Sequence, residues 1–222
     1  LKALYGFMEQ VIARYAGRVA MWNLASGINV NDNFTFTSAQ MVSIVRNARL
    51  LVKQYRPKAR AMVEIRQPFG EHTARNRDSV SPLPFVTHLR QEGVQLDAVG
   101  VQVQMGDGPG GSHARDLLQV SALLDHLHHL DAPLLVSAMG VPSGEVSSPP
   151  ARGWWHDRWS PSVQERWTSR IFAIALGKPQ VETIVWTDLY DHPAAELPRG
   201  GLLDEAGRPK SALTRLLGMR RR

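Results

Sequence analysis

The chain has 222 residues, 43% of them hydrophobic and 21% charged, with no cysteine and a formal net charge of +6. That composition is ordinary for a globular protein with one sizeable core or two small ones rather than for a disordered chain, while the lack of cysteine excludes disulfide scaffolds, cysteine-based zinc sites and thiol nucleophiles. No apolar run reaches the eighteen or so residues of a membrane span, and basic residues are scattered except in Met219–Arg222, so neither membrane nor nucleic acid is expected as a partner.

Leu1 to Gly17 has the pattern of a first helix. Arg18 to Ser26 is then an apolar, β-type run that ends in polar residues and Gly27. Thr37 to Gln40 has the Thr-x-x-Gln spacing of a capping box, and behind it Met41, Ile44, Val45, Ala48, Leu51, Val52 and Tyr55 fall on one helical face that ends near Arg56-Pro57. Further β-type runs follow at Arg60 to Gln67, Ala98 to Met105, Pro133 to Gly140 and Val181 to Leu189. Between them Leu117, Val120, Leu124 and Leu127 mark one helix. Val163, Trp167, Ile171 and Ile174 mark another, started by Ser160-Pro161 and closed at Gly177.

Strands such as "AVGVQV" and "PLLVSAM" are apolar on both faces, as the strands of a parallel sheet wrapped by helices must be. The fold class is therefore α/β. Doubly wound sheets and (β/α)8 barrels both fit, and both place their chemistry at the C-terminal ends of strands.

Several candidate motifs lie there. "GDGPGG", Gly106 to Gly111, matches the dinucleotide pattern G-x-G-x-x-G, but Pro109 removes a backbone donor and the next strand ends in Ala138-Met139-Gly140 where a ribose-binding acid belongs. His113, His126, His128 and His129 form the richest histidine group, yet no third metal ligand accompanies the His126 and His129 pair. No metal and no cofactor is expected. What remains is a set of amides, acids and indoles: Asn23, Ser26 and Asn29; Glu64, Arg66, Gln67 and Glu71; Gln102 and Gln104; Trp186, Asp188 and Asp191. Amides and carboxylates bind sugar hydroxyls in pairs while an indole covers the apolar face of a pyranose, so this mixture, with Trp154, Trp155 and Trp159 nearby, points to a hydroxyl-rich ligand.

Five segments in register resemble the C-terminal part of the family-10 glycoside hydrolases, the xylanase-type (β/α)8 barrels: "WNLASG" from Trp22, "DAVGVQVQ" from Asp97, "VSAMG" from Val136, "VWTDLYD" from Val185 and "GGLLDEAGRPKSAL" from Gly200. The resemblance implies that residues 1–222 are strands four to eight of a TIM-type barrel, about five βα units. The strands before them would come from an upstream segment or another chain, since an open piece of barrel leaves edges and lumen to be covered. It further implies an oligo- or polysaccharide partner with β-1,4 linkages of the xylan type, contacted by Trp22, Asn29, Gln67, Gln104, Trp186 and Asp188.

The same alignment sets Gly27 where the family has its acid/base Glu, Ala138 where it has its nucleophile, and Gln104 where it has a His. Retaining hydrolysis needs two carboxyl groups about 5 to 5.5 Å apart, which Gly and Ala cannot supply. Two expectations follow. One is a divergent glycosidase using other acids, with Glu71 first and Glu64 second, and with Glu145 and Asp188 in reserve. The other is a non-catalytic carbohydrate-binding barrel.

Overall fold

The computed structural model describes residues 2–108, 111–144 and 151–219. Pro109, Glu145 and the arginines after Met219 lie outside them.

The chain order is α1 (Lys2–Tyr15), β1 (Met21–Ser26), α2 (Ser38–Tyr55), β2 (Arg60–Ile65), α3 (Pro82–Gln91), β3 (Ala98–Gln104), α4 (Leu117–Leu127), β4 (Leu134–Gly140), α5 (Pro161–Leu176), β5 (Val181–Trp186) and α6 (Ser211–Met219). The strands form one five-stranded sheet in the order β1-β2-β3-β4-β5. β1 pairs in parallel with β2, and β2 with β3. Along β4 the numbering rises with that of β3, since Val99 N–H donates to the Pro133 carbonyl and Met105 N–H to that of Gly140. An expected strand–helix alternation with parallel neighbours in sequence order is thus what the chain adopts, each strand a little shorter than its apolar run.

Two compact units divide the chain, Leu1–Gln102 with Leu127–Leu135, and Val103–His126 with Val136–Arg222. In the first, α2 begins with a complete capping box: Thr37 Oγ1 accepts from Gln40 N–H and Gln40 Oε1 accepts from Thr37 N–H. Met41, Ile44, Val45, Ala48 and Val52 bury that helix's apolar face, and α1 turns toward it with Tyr5 Oη 3.3 Å from Ser43 Oγ. Tyr55, at the far end, is 39% exposed and donates to Glu9. The β2 side chains Ala61, Val63 and Ile65 are fully buried, as are Ala98, Val99 and Val101 of β3.

In the second unit Val120 and Leu124 of α4 and Val163, Trp167 and Ile171 of α5 are buried. Gln164 is buried among the α5 residues as well, its Nε2 donating to the Val141 carbonyl at 3.0 Å while its Oε1 has no partner among the described residues. α5 has the expected cap, with Ser160 Oγ accepting from Val163 N–H and Pro161 in the first turn. Its other end also closes at Gly177 as expected, although that residue has φ −77 and caps the helix without the left-handed turn that favours glycine.

Candidate functional site

The strongest polar cluster of the first unit grows from an irregularity in β1. Asn23 lies opposite Met62 and Ser26 opposite Glu64, so β1 advances three residues while β2 advances two. This is a β-bulge. Strict alternation would set Ala25 opposite Glu64 and turn Ser26 away; the extra residue instead brings Ser26 onto the face that Asn23 and Glu64 share. Ser26 Oγ–H donates to Glu64 Oε2, joined by Asn23 Nδ2 at 3.5 Å and by Gln102 Nε2, from β3, at 2.9 Å. Three donors from two strands therefore converge on one oxygen of a carboxylate that is only 8% exposed. Oε1 is engaged by none of them. Chemically the cluster is a fixed anionic acceptor with hydroxyl and amide groups beside it.

The bulge leads into Gly27, whose φ of +64 is the left-handed conformation that glycine adopts without penalty. A Cβ there would run into the aliphatic stem of Arg66. Ser26 and Gly27 also line a cavity of about 270 Å3 whose walls include Ile28, Asn33, Phe34 and Phe36.

The other candidates of this unit are placed as follows. Trp22, on β1, is half-buried and its Nε1 has no partner; Gln67, just past β2, has φ +46 and a buried, unpaired Oε1. Asn29 is 0% exposed, donates to the Arg66 carbonyl at 3.4 Å and receives Val80 N–H on its own carbonyl at 2.8 Å. These bonds brace the loop after β1, and the side-chain Oδ1 is buried without a partner among the described residues. Glu71 opens a short 3-10 turn, Glu71–Ala74, and is half-buried. Beside it His72 is buried, with Nε2 3.1 Å from the Val80 carbonyl.

In the second unit Gln104 is 2% exposed and its amide donates to Thr187 Oγ1 at 3.1 Å and to Glu196 Oε2 at 3.2 Å, leaving Oε1 buried and unpaired. Neither Thr187 nor Glu196 stood out in the sequence. Asp188 lies 3.4 Å from His192 Nε2. Asp191 is buried and pairs with Lys210. Trp186 is placed differently from the expectation that it faces a ligand. Its ring packs edge-on to Trp167 at 6.4 Å and against Phe172 at 6.5 Å, both on α5, and its Nε1–H donates to the Gly200 carbonyl at 2.9 Å. Alternation explains this: Trp186 falls on the helix-facing side of β5 and Thr187 on the other. Of the further tryptophans, Trp155 and Trp159 are buried, and Trp154 is 38% exposed with Arg158 over its ring.

Among the described residues of the glycine loop, Gly106 N–H is spent on the Ser112 carbonyl and Gly111 N–H on that of Gly108, while the Asp107 carboxylate accepts from Ala151 and Arg152 N–H. Those two backbone donors are thus used within the protein, and the acid among them disfavours a phosphate. Among the described residues no group of three or more His, Asp or Glu side chains is arranged to hold a metal ion, and no helix is long and apolar enough to cross a membrane.

No protein-family model matches the sequence, and none of the curated proteins matches it. Solved structures do. Xylanase 10B from Thermotoga petrophila RKU-1, in complex with xylobiose, superposes with a TM-score of 0.68 at 16% identity over 96% of this chain and 63% of that one. Native xylanase 10B from Thermotoga maritima gives 0.66 at 18% identity over 96% and 64%. A GH10 endoxylanase retrieved from a sugarcane soil metagenome gives 0.68 at 17% identity over 99% and 68%. The chain therefore has the fold of a partial (β/α)8 barrel of the xylanase type. It spans less than two thirds of the length of the two Thermotoga enzymes.

Proposed function

We propose that the protein is glycoside-hydrolase-like and acts on or binds a β-1,4-linked, xylan-like polysaccharide. The observation that carries this reading is the convergence of Ser26, Asn23 and Gln102 on Glu64, in a fold shared with xylanases. A carboxylate already oriented by three donors, with an adjacent hydroxyl and amides, is the kind of group that accepts hydrogen bonds from sugar hydroxyls at little reorganisation cost. The reading includes the strand positions a closed barrel has beyond these five, which an upstream segment or another chain would supply.

Gly27 favours the non-catalytic alternative. In the register implied by the sequence resemblance it takes the place of the acid/base Glu, and its left-handed φ together with the Arg66 stem over its open face makes it a poor host for any larger side chain. Ala138, half-buried on β4, stands in the nucleophile's place in the same register and has no group to attack with.

Calorimetry with xylo- and cello-oligosaccharides, alongside a reducing-sugar assay on xylan, tests both readings. Binding with hydrolysis supports a divergent glycosidase. Binding without hydrolysis supports the non-catalytic form, and neither with any β-1,4 glycan refutes the proposal.

A further inference from the structure

The side chain that occupies the open face of Gly27 carries a charge that none of the described residues meets. Arg66 follows β2 immediately, is half-buried, and its Cβ, Cγ and Cδ lie against Gly27. Among the described residues its guanidinium makes no hydrogen bond and no ion pair, although Glu64 stands two positions before it; that carboxylate's Oε2 is instead taken up by Ser26, Asn23 and Gln102. The position of the stem is built in. Asn29, fully buried, holds the Arg66 backbone through its carbonyl, and Gly27 provides the left-handed residue without a Cβ over which the stem can lie. An arginine laid down this firmly and left unpaired at the end of a strand presents a planar fork of donors suited to a carboxylate.

Gly27 is shared by two features. Its backbone lines the cavity of about 270 Å3 with Phe34 and Phe36 in its walls, and its Cα carries the Arg66 stem. A pyranose ring needs an apolar wall and a hydroxyl partner, and Phe34, Phe36 and Ser26 supply both. Resting on the xylan reading above, we propose that Arg66 is a specificity residue for acidic decoration: the glycan carries a uronic acid, and its carboxylate pairs with the Arg66 guanidinium while the neutral backbone engages the Glu64 cluster. On this account an arginine takes over the neighbourhood that an acid would occupy in a retaining xylanase, converting the place from one that donates a proton into one that selects an anion.

The test is calorimetry on the full chain with three ligands: an unsubstituted xylo-oligosaccharide, the same oligosaccharide bearing one glucuronic acid, and the methyl ester of that acidic oligosaccharide. The acidic ligand is expected to bind at least about ten-fold more tightly than the other two, the scale of a charge-assisted hydrogen-bonded pair. Arg66→Met, which keeps the stem on Gly27 and removes the guanidinium, should abolish the preference by bringing the acidic ligand's affinity down to that of its methyl ester; circular dichroism checks that this variant folds. Equal affinity for acid and ester in the unaltered protein overturns the assignment without touching the xylan reading, and needs no variant. A preference that survives in Arg66→Met traces to the general positive charge and also overturns it. No binding of any of the three removes this inference and the xylan reading together.

Discussion

Lys210 Nζ lies 2.7 Å from Asp191 Oδ1, with the two side chains 9% and 7% exposed. The ammonium also reaches Ser143 Oγ at 3.0 Å and the Arg199 carbonyl at 2.8 Å, and the carboxylate accepts Gly201 N–H at 2.9 Å. One cation thereby ties together the loop after β4, the loop after β5 and the residue preceding α6. Removing one member of such a pair strands the other: Lys210→Met is expected to cost about 3 to 5 kcal/mol, and Lys210→Met with Asp191→Leu less than the two single losses combined. Urea denaturation midpoints of the three variants decide it.

Gly27→Ala is expected to lose about 1 to 2 kcal/mol, because a side chain at φ +64 is strained and its Cβ meets the Arg66 stem. Adding Arg66→Ala should return only the steric part. Gly27→Glu should give a less stable protein with no gain of xylanase activity, read by reducing-sugar release. Activity restored by that one change would mean that the neighbourhood still holds a substrate for hydrolysis.

Because Trp186 packs on Trp167 and Phe172 of α5, its truncation should appear as instability. Trp186→Ala is expected to cost about 3 kcal/mol in chemical denaturation, with xylo-oligosaccharide affinity unchanged at temperatures where the variant stays folded. A variant of full stability and weakened affinity would return this indole to the binding surface.

For the two acids, the separating experiment is amide substitution in a protein that includes the complete barrel. Glu64→Gln should weaken oligosaccharide binding about ten-fold by taking the charged acceptor from a cluster built around it. If the complete protein hydrolyses xylan, Glu71→Gln should slow it at least about 100-fold, the low end for a general acid. Hydrolysis indifferent to Glu71→Gln would move that role elsewhere.

Asp204 offers a pH readout. Its carboxyl is held below the usual carboxylate range first by the backbone N–H of Arg208, then by the Arg208 side chain and the Ala206 N–H. A depressed acid stabilises the folded turn above its ordinary pKa and loses that contribution as pH falls through its folded value. The turn at 204–208 should therefore loosen only under strongly acidic conditions, seen as an NMR titration of Asp204 at lower pH than a free aspartate and abolished by Asp204→Asn.

The sheet, its strand order and the start of α2 were legible because their causes are local. Apolar runs buried on both faces signal parallel strands, and Thr37 and Gln40 carry a complete helix cap within four residues. The face on which a residue sits was harder to read wherever it depends on pairing. Ser26 meets Glu64 only because β1 takes an extra residue against β2, and nothing in "MWNLAS" marks the bulge. Trp186 is recognisable as a strand-end residue, but its side of β5 is set by the strand's register, which the local letters do not carry. That Asn29 is fully enclosed was not legible, because exposed and buried amides are the same letters. Lys210 and Asp191 are nineteen positions apart and meet through loop closure, which periodicity does not report.

The bulge in β1 also sets how this site can change over time. Asn23, Ser26 and Gln102 can each be exchanged for another polar residue while Glu64 keeps the remaining donors. Loss of a single codon between Asn23 and Ser26 is a different event. Restoring plain alternation would swing the serine hydroxyl to the opposite face, move the left-handed glycine out of step with Arg66, and dismantle the carboxylate cluster and the arginine's seat at one stroke. The length of this six-residue strand is thus constrained more tightly than most of its letters, and a lineage drifting in sequence can keep the arrangement only while it keeps the count.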